Sequence, residues 1–198
     1  LATTLSRSQI DDVIRPILQV ALNKSQIQKR LPRKLVYGTF SSRGLGVKDL
    51  FWIQLIQHLQ AILRHSHRDT PSSELHPDNM DLVQLHVGSQ VTFWSLPYQQ
   101  YGCLAPVGWM QHTWESMDST PLTLQGPDLG LKPKRRKDTC LLDAFVEAGF
   151  EDDDLTTLRD CRLHLKVNFV SEISSACGSR ITRAAWRGRS SAIIPRQA

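Results

Sequence analysis

The residues best suited to chemistry are cations. Lys132-Pro133-Lys134-Arg135-Arg136-Lys137 places five of them in six positions, and consecutive cations can neutralise several phosphates and displace their condensed counterions. A localisation signal or a solvated linker has the same composition, and the tract alone does not separate the three. A second basic stretch, Arg180, Arg183, Arg187 and Arg189, surrounds Trp186, whose indole offers a base a stacking face. An ordinary basic tail would read the same way. The candidate nucleic-acid contacts are therefore Lys132, Lys134, Arg135, Arg136, Lys137, Arg180, Arg183, Trp186 and Arg187. The formal charge of +5 and a pI near 9.2 favour a polyanionic partner.

Catalytic and metal-binding patterns are weaker. Phe150-Glu151-Asp152-Asp153 has the aromatic-x-Asp-Asp order of a polymerase metal site. It follows a helix stop and precedes a helical pattern, so its acids are expected to favour the positive end of a helix dipole instead. Asp11-Asp12 lies within an amphipathic helix. His65-x-His67 with Asp69 and His76 lacks a fourth ligand at a fixed spacing, and Cys161-x-x-His164 with Cys177 is only half of a zinc knuckle. Gly44-x-Gly46 has no glycine-rich continuation and no Lys-Ser/Thr pair, which leaves it a turn rather than a phosphate loop. No catalytic residue and no metal ligand are assigned.

The elements that would carry these residues are mostly helical. From Ser8, the positions Ile10, Val13, Ile14, Ile17, Leu18, Ala21 and Leu22 recur at three and four, with a kink or break expected at Pro16. Leu35-Val36-Tyr37 reads as a short extended segment, and Gly44-Leu45-Gly46 as a tight loop. Asp49 is placed to cap a central helix over Leu50 to Leu63, with Trp52, Leu55, Ile56, Leu59, Ile62 and Leu63 as its apolar stripe, Leu59 in the core and His58 on the polar face. Shorter helices are predicted over Met80 to Val87, Trp109 to Met117, and from Leu141 to a stop at Gly149 capped by Asp138 or Thr139. A last helix, capped by Asp153 or Asp154, contains Leu155, Leu158, Cys161 and Leu165. Leu163 to Phe169 also alternates as a strand would, and helix to about Lys166 is preferred.

Pro121 to Pro133 is the clearest boundary, punctuated by Gly126, Pro127 and Gly130. The expected organisation is a helical region over 1–120, a Gly/Pro-rich basic linker over 121–137, a helical segment over 138–181 and a basic tail over 182–198. With 198 residues, 40% hydrophobic, the chain can bury a real core. It begins with Leu1 rather than Met and is expected to be a partial chain. Every candidate apolar run is too short or too interrupted to cross a bilayer, so no membrane partner is expected and an intracellular setting, nuclear or cytoplasmic, is. The four dispersed cysteines are expected to be reduced and mostly buried.

Several blocks, in order, resemble the region downstream of the palm in reverse transcriptases of retrotransposons without long terminal repeats. They are Leu31-Pro32-Arg33-Lys34-Leu35-Val36-Tyr37-Gly38, Gly44-Leu45-Gly46-Val47, Gln54 with Gln57-His58-Leu59 and Leu63-Arg64, then Tyr101-Gly102, Gly108-Trp109 and Thr113-Trp114. Leu158-Arg159-x-Cys161-Arg162-Leu163-His164-Leu165, Glu172-Ile173, Gly178-Ser179-Arg180-Ile181 and Ala185-Trp186-x-Gly188 follow. Ser42-Arg43 departs from the pattern, since a further glycine is common there. The resemblance implies a mainly α fold, a helical thumb and connection bundle with short extended segments. It also implies a non-catalytic part of an RNA-directed DNA polymerase, helping to grip the RNA/DNA template-primer and packing on the upstream palm of the same polyprotein. The parent enzyme would use a divalent metal, Mg, and this segment would need no cofactor. The alternative is a helical protein-interaction module, or a decayed copy of an element, with no catalytic role.

Overall fold

The computed structural model describes residues 4–28, 30–65, 71–133, 135–175 and 180–182, with the backbone alone at 65 and 71–77. The fold is mainly α: among the described residues there are nine α-helices, and the only β pairing is two isolated bridges. The chain forms two compact units, 1–64 and 65–198. The division falls between Arg64 and His65, and the stretch 121–137 lies inside the second unit.

In the first unit, α1 (Arg7–Lys24) starts from a reciprocal cap: the Ser6 hydroxyl accepts from the Gln9 N–H, and the Gln9 side chain accepts from the Ser6 N–H at 2.8 Å. The helix runs through Pro16 without the expected break. A proline there removes one backbone donor, and the burial of Ile10, Ile14 and Leu22 on either side holds the remaining ladder. The apolar face is narrower than its spacing predicts, because Val13 and Ile17 are exposed.

The segment Leu35-Val36-Tyr37 is not extended; it belongs to α2 (Arg33–Tyr37). The Pro32 carbonyl accepts from the N–H groups of Leu35 and Val36, and a proline at the entrance pre-sets the φ that a first turn needs. The tight loop that follows is as expected. Gly46 has φ 66°, its N–H donates to the Gly38 carbonyl at 2.8 Å, and a Cβ on Gly44 would lie 2.1 Å from that same oxygen. Arg43, at the point of departure from the resemblance, is held left-handed at φ 58°, a conformation glycine takes at lower cost. Gly44→Ala must therefore push two backbone segments apart. It is expected to lower the unfolding midpoint by more than the 1 kcal/mol or so of an ordinary loop Gly→Ala change; an unchanged midpoint in urea would reject this packing.

α3 (Leu50–His65) begins at Asp49, whose carboxylate accepts from the Phe51 N–H at 3.0 Å and pairs with Arg7 at 2.9 Å. Gln54 exchanges two hydrogen bonds with the Leu5 backbone, and the Arg7 guanidinium lies over the Phe51 ring. These contacts turn the helix so that Phe51, Leu55, His58 and Ile62 face inward, while Trp52, Ile56 and Leu63 are exposed and Leu59 is half-buried. The predicted stripe was therefore rotated: Leu59 is not a core residue and His58 is. Leu55→Ala is expected to cost about 2–5 kcal/mol and Leu59→Ala clearly less. Denaturation of both variants checks this, and equal losses would contradict the observed rotation.

The second unit opens with α4 (Pro71–Val87), nine residues earlier than its apolar pattern begins. Pro71 occupies the first helical position, where its missing N–H is not needed. The helix stops at Gly88, φ 67°. Beyond it come a 3₁₀ turn at Phe93–Ser95, α5 (Tyr98–Tyr101), a second 3₁₀ turn at Gly102–Leu104 and α6 (Trp109–Asp118). Phe93, Leu104 and Trp114 form a fully buried centre, in which the Trp114 indole N–H donates to the Leu96 carbonyl at 3.1 Å. Then follow α7 (Leu141–Glu147), stopped at Gly149 with φ 81°, α8 (Asp152–Leu165) and α9 (Val170–Ile173).

α8 packs on α4, α7 and the Gly102–Leu104 turn. It ends at a left-handed Lys166, so Leu163 and Leu165 are helical, and only Phe169 pairs as a strand would, in a bridge to Cys140. The helix starts at Glu151 rather than at Asp153 or Asp154, and Cys140 stands at the start of α7 without a side-chain cap. Asp138, expected there, instead accepts from the N–H and hydroxyl of Ser171 and so holds the start of α9.

Candidate nucleic-acid interface

The tract is carried on a stretch that is pinned at both ends. On its N-terminal side, 128–131 runs against 89–92: the Leu131 N–H donates to the Ser89 carbonyl at 2.9 Å and the Leu129 N–H to the Thr92 hydroxyl at 3.1 Å. The approach is close enough that a Cβ on Gly130 would overlap the Gln90 carbonyl, which explains the glycine in this otherwise linker-like run. On the C-terminal side, the Asp138 carbonyl accepts from Gln90, while its carboxylate accepts from Ser171. The segment read as a flexible linker is thus fastened on both flanks.

Between these anchors, Lys132, Arg135, Arg136 and Lys137 are all exposed. A turn closed by the Asp138 N–H on the Arg135 carbonyl, with Lys137 at φ 61°, presents the last three. Lys132 is paired with Asp128, and that hydrogen bond, with help from the Gly130 N–H, holds the Asp128 carboxyl below its usual range. Part of the Lys132 charge is thereby committed. Lys134 lies outside the described residues.

Arg180 is exposed at the other end of α9, where its carbonyl accepts from the Ser175 N–H at 2.7 Å and the Thr182 N–H donates to the Ile173 carbonyl. Both basic stretches are therefore fastened to α9, the tract through Ser171 and Arg180 through Ser175. Arg183, Trp186 and Arg187 lie outside the described residues, as do Arg189 and Cys177.

The acids of the aromatic-x-Asp-Asp pattern are exposed on the first turn of α8, with Asp154 beside them. They sit at the positive end of the helix dipole, as the sequence context predicts. Among the described residues no group of His, Cys, Asp and Glu could hold a metal ion. His67 and Asp69 fall outside the described residues, and so do the side chains of His65 and His76.

Cys103, Cys140 and Cys161 are free, with Cys140 buried and the other two half-buried. Burial, then Asp152, pushes the Cys103 thiol up to about 11; burial, then Asp143, pushes Cys140 to about 12. Neither is a ready thiolate nucleophile. Desolvation also lowers the pKa of His58.

Three polar residues organise this unit and carry no sequence signal of their own. Gln84 donates to the Ser89 and Val91 carbonyls and accepts from the Phe93 N–H at 2.9 Å. Asp143 accepts from the hydroxyls of Ser89 and Tyr101, each at 3.1 Å. Arg162, 3% exposed, sends its guanidinium to the Leu85 and His86 carbonyls and to the Asn168 side chain. Desolvation lowers its pKa. Arg159, one turn earlier, donates to the Leu104 carbonyl at 3.1 Å. Together these bonds join 138–172 to 84–104 and set the surface from which the tract projects.

Among the described residues no helix is long and apolar enough to cross a membrane. Comparison with known protein families, curated proteins and solved structures finds no match to this chain.

Proposed function

We propose that this chain contributes thumb and connection surface to an RNA-directed DNA polymerase and grips the template-primer duplex by its phosphate backbone. Catalysis would occur on an upstream palm, which would hold the Mg ions. The observation that carries the reading is the exposed turn Arg135-Arg136-Lys137, with Lys132 before it, held between anchors on Ser89 and Ser171. Cations on a fastened turn lose less freedom on meeting phosphates than cations on a free chain. The ordered blocks that resemble reverse transcriptases, and the mainly helical fold, support the same reading.

Binding is expected to be weak and nearly indifferent to sequence, with log affinity falling against log salt by about 0.9 per duplex phosphate contact. Anisotropy titrations of a labelled RNA–DNA hybrid at several salt concentrations, on the wild type and on a variant with Lys132, Lys134, Arg135, Arg136 and Lys137 changed to Gln, make the test. The variant should bind more weakly and with a flatter slope. Equal affinity and slope would remove the tract from the interface and leave it a localisation signal or a linker.

The competing reading, a helical protein-interaction module, is favoured by a different observation. Val13, Ile17 and Val20 line one exposed face of α1 at helical spacing, and Trp52, Ile56 and Leu63 are exposed on α3. That reading expects the five substitutions to leave hybrid affinity unchanged.

A further inference from the structure

Inside the second unit, α7, α8 and the chain around α9 enclose a cavity of about 180 Å³. Leu141, Phe145, Leu158 and Ile173 are among its walls, the Cys161 thiol adds one edge, and Ile181, 67% exposed, stands at its rim. Natural interiors are close-packed and seldom keep voids larger than a water molecule. An apolar cavity of about 150 Å³ stays free of water and takes up benzene.

The one charged residue in the wall does not offer its charge. The Arg162 guanidinium is spent on the carbonyls of Leu85 and His86 and on Asn168, with its Cζ packed against Gly88. Its aliphatic stem is what remains for the cavity. A ligand carrying a carboxylate or phosphate would have to leave water with no partner waiting for it.

We propose that this cavity is a binding site for a small, uncharged, apolar molecule of about the size of one aromatic ring. The walls supply contact area without a polar anchor, and the Cys161 sulfur at the edge suits an aromatic ring over an aliphatic one. The site is independent of the basic tract and of the nucleic-acid reading.

Toluene is the probe and benzoate its charged counterpart, with the full chain labelled by N-ethylmaleimide and each cysteine followed by peptide mass spectrometry. With toluene at about ten times its dissociation constant, Cys161 labelling should slow about tenfold, since only the unoccupied fraction reacts. Cys103 should be unaffected, and benzoate should protect nothing. Leu158→Phe, which fills the cavity, should abolish the protection. Should that variant fail to fold, methyl NMR of the wild type decides, with toluene shifting Leu141, Leu158 and Ile181 but not Leu55. Absence of both protection and methyl shifts, as would follow if the cavity were closed by the chain itself, overturns the proposal. Equal protection by benzoate does so too.

Discussion

Arg162→Met should destabilise the second unit by about 3 kcal/mol, because it strips the charged donor from acceptors that have no other source of N–H. The Leu85 and His86 carbonyls lie in the last turn of α4, where helical carbonyls lack intrahelical partners. A guanidinium there satisfies them and opposes the negative end of the helix dipole. Gly88 makes the approach possible, since a Cβ at that position would stand 2.9 Å from the Arg162 Cζ. Methionine keeps most of the stem and escapes the cost of burying a charge, which is why the expected loss is smaller than the sum of the broken bonds. Arg162→Lys, with charge but no planar fork, should recover part of the loss. Urea denaturation followed by tryptophan emission measures the difference. A midpoint equal to the wild type would mean that the buried guanidinium contributes nothing net.

Trp114→Ala is expected to cost about 3–5 kcal/mol, enough to leave the second unit without fixed side-chain packing. The residue is 1% exposed, and its ring meets Phe93 edge-on at 5.4 Å and Tyr98 at 5.3 Å. Each such pair adds about 0.5–1.5 kcal/mol beyond the area it buries. The indole N–H also satisfies the Leu96 carbonyl. Trp114→Phe keeps much of the apolar contact, loses that hydrogen bond and should fall between the two. Near-ultraviolet circular dichroism should collapse in the alanine variant while the far-ultraviolet signal largely persists. Retention of the near-ultraviolet signal would place the packing centre elsewhere.

What could be read in the residues beforehand divides by range of interaction. Helix existence and several ends were legible because they depend on neighbours within a turn or two: Asp49 as a cap, Gly88 and Gly149 as stops, Lys166 as the limit of α8, and the close loop at Gly44 and Gly46. The acids at 152–154 were legible for the same reason, as a helix start. Failures at this range came from prolines. Pro32 initiates α2 where an extended segment was expected, Pro16 lies inside α1, and Pro71 starts α4 early.

Longer-range features were hidden. Which face of α3 turns inward depends on Arg7 and Leu5, more than forty residues away by separations of 42 and 49, and that rotation moved Leu59 out of the core and His58 into it. The sequence by itself determined a mainly helical chain and the clustered charge of the tract, since backbone propensity, capping and composition are local quantities. Only the tertiary structure decided that the tract is fastened rather than loose, that Asp138 serves α9 instead of α7, and that Arg162 is buried against the end of α4. Each depends on a donor and an acceptor distant in the chain that meet once the apolar faces have packed, and a buried polar group keeps its place only where such a partner awaits it.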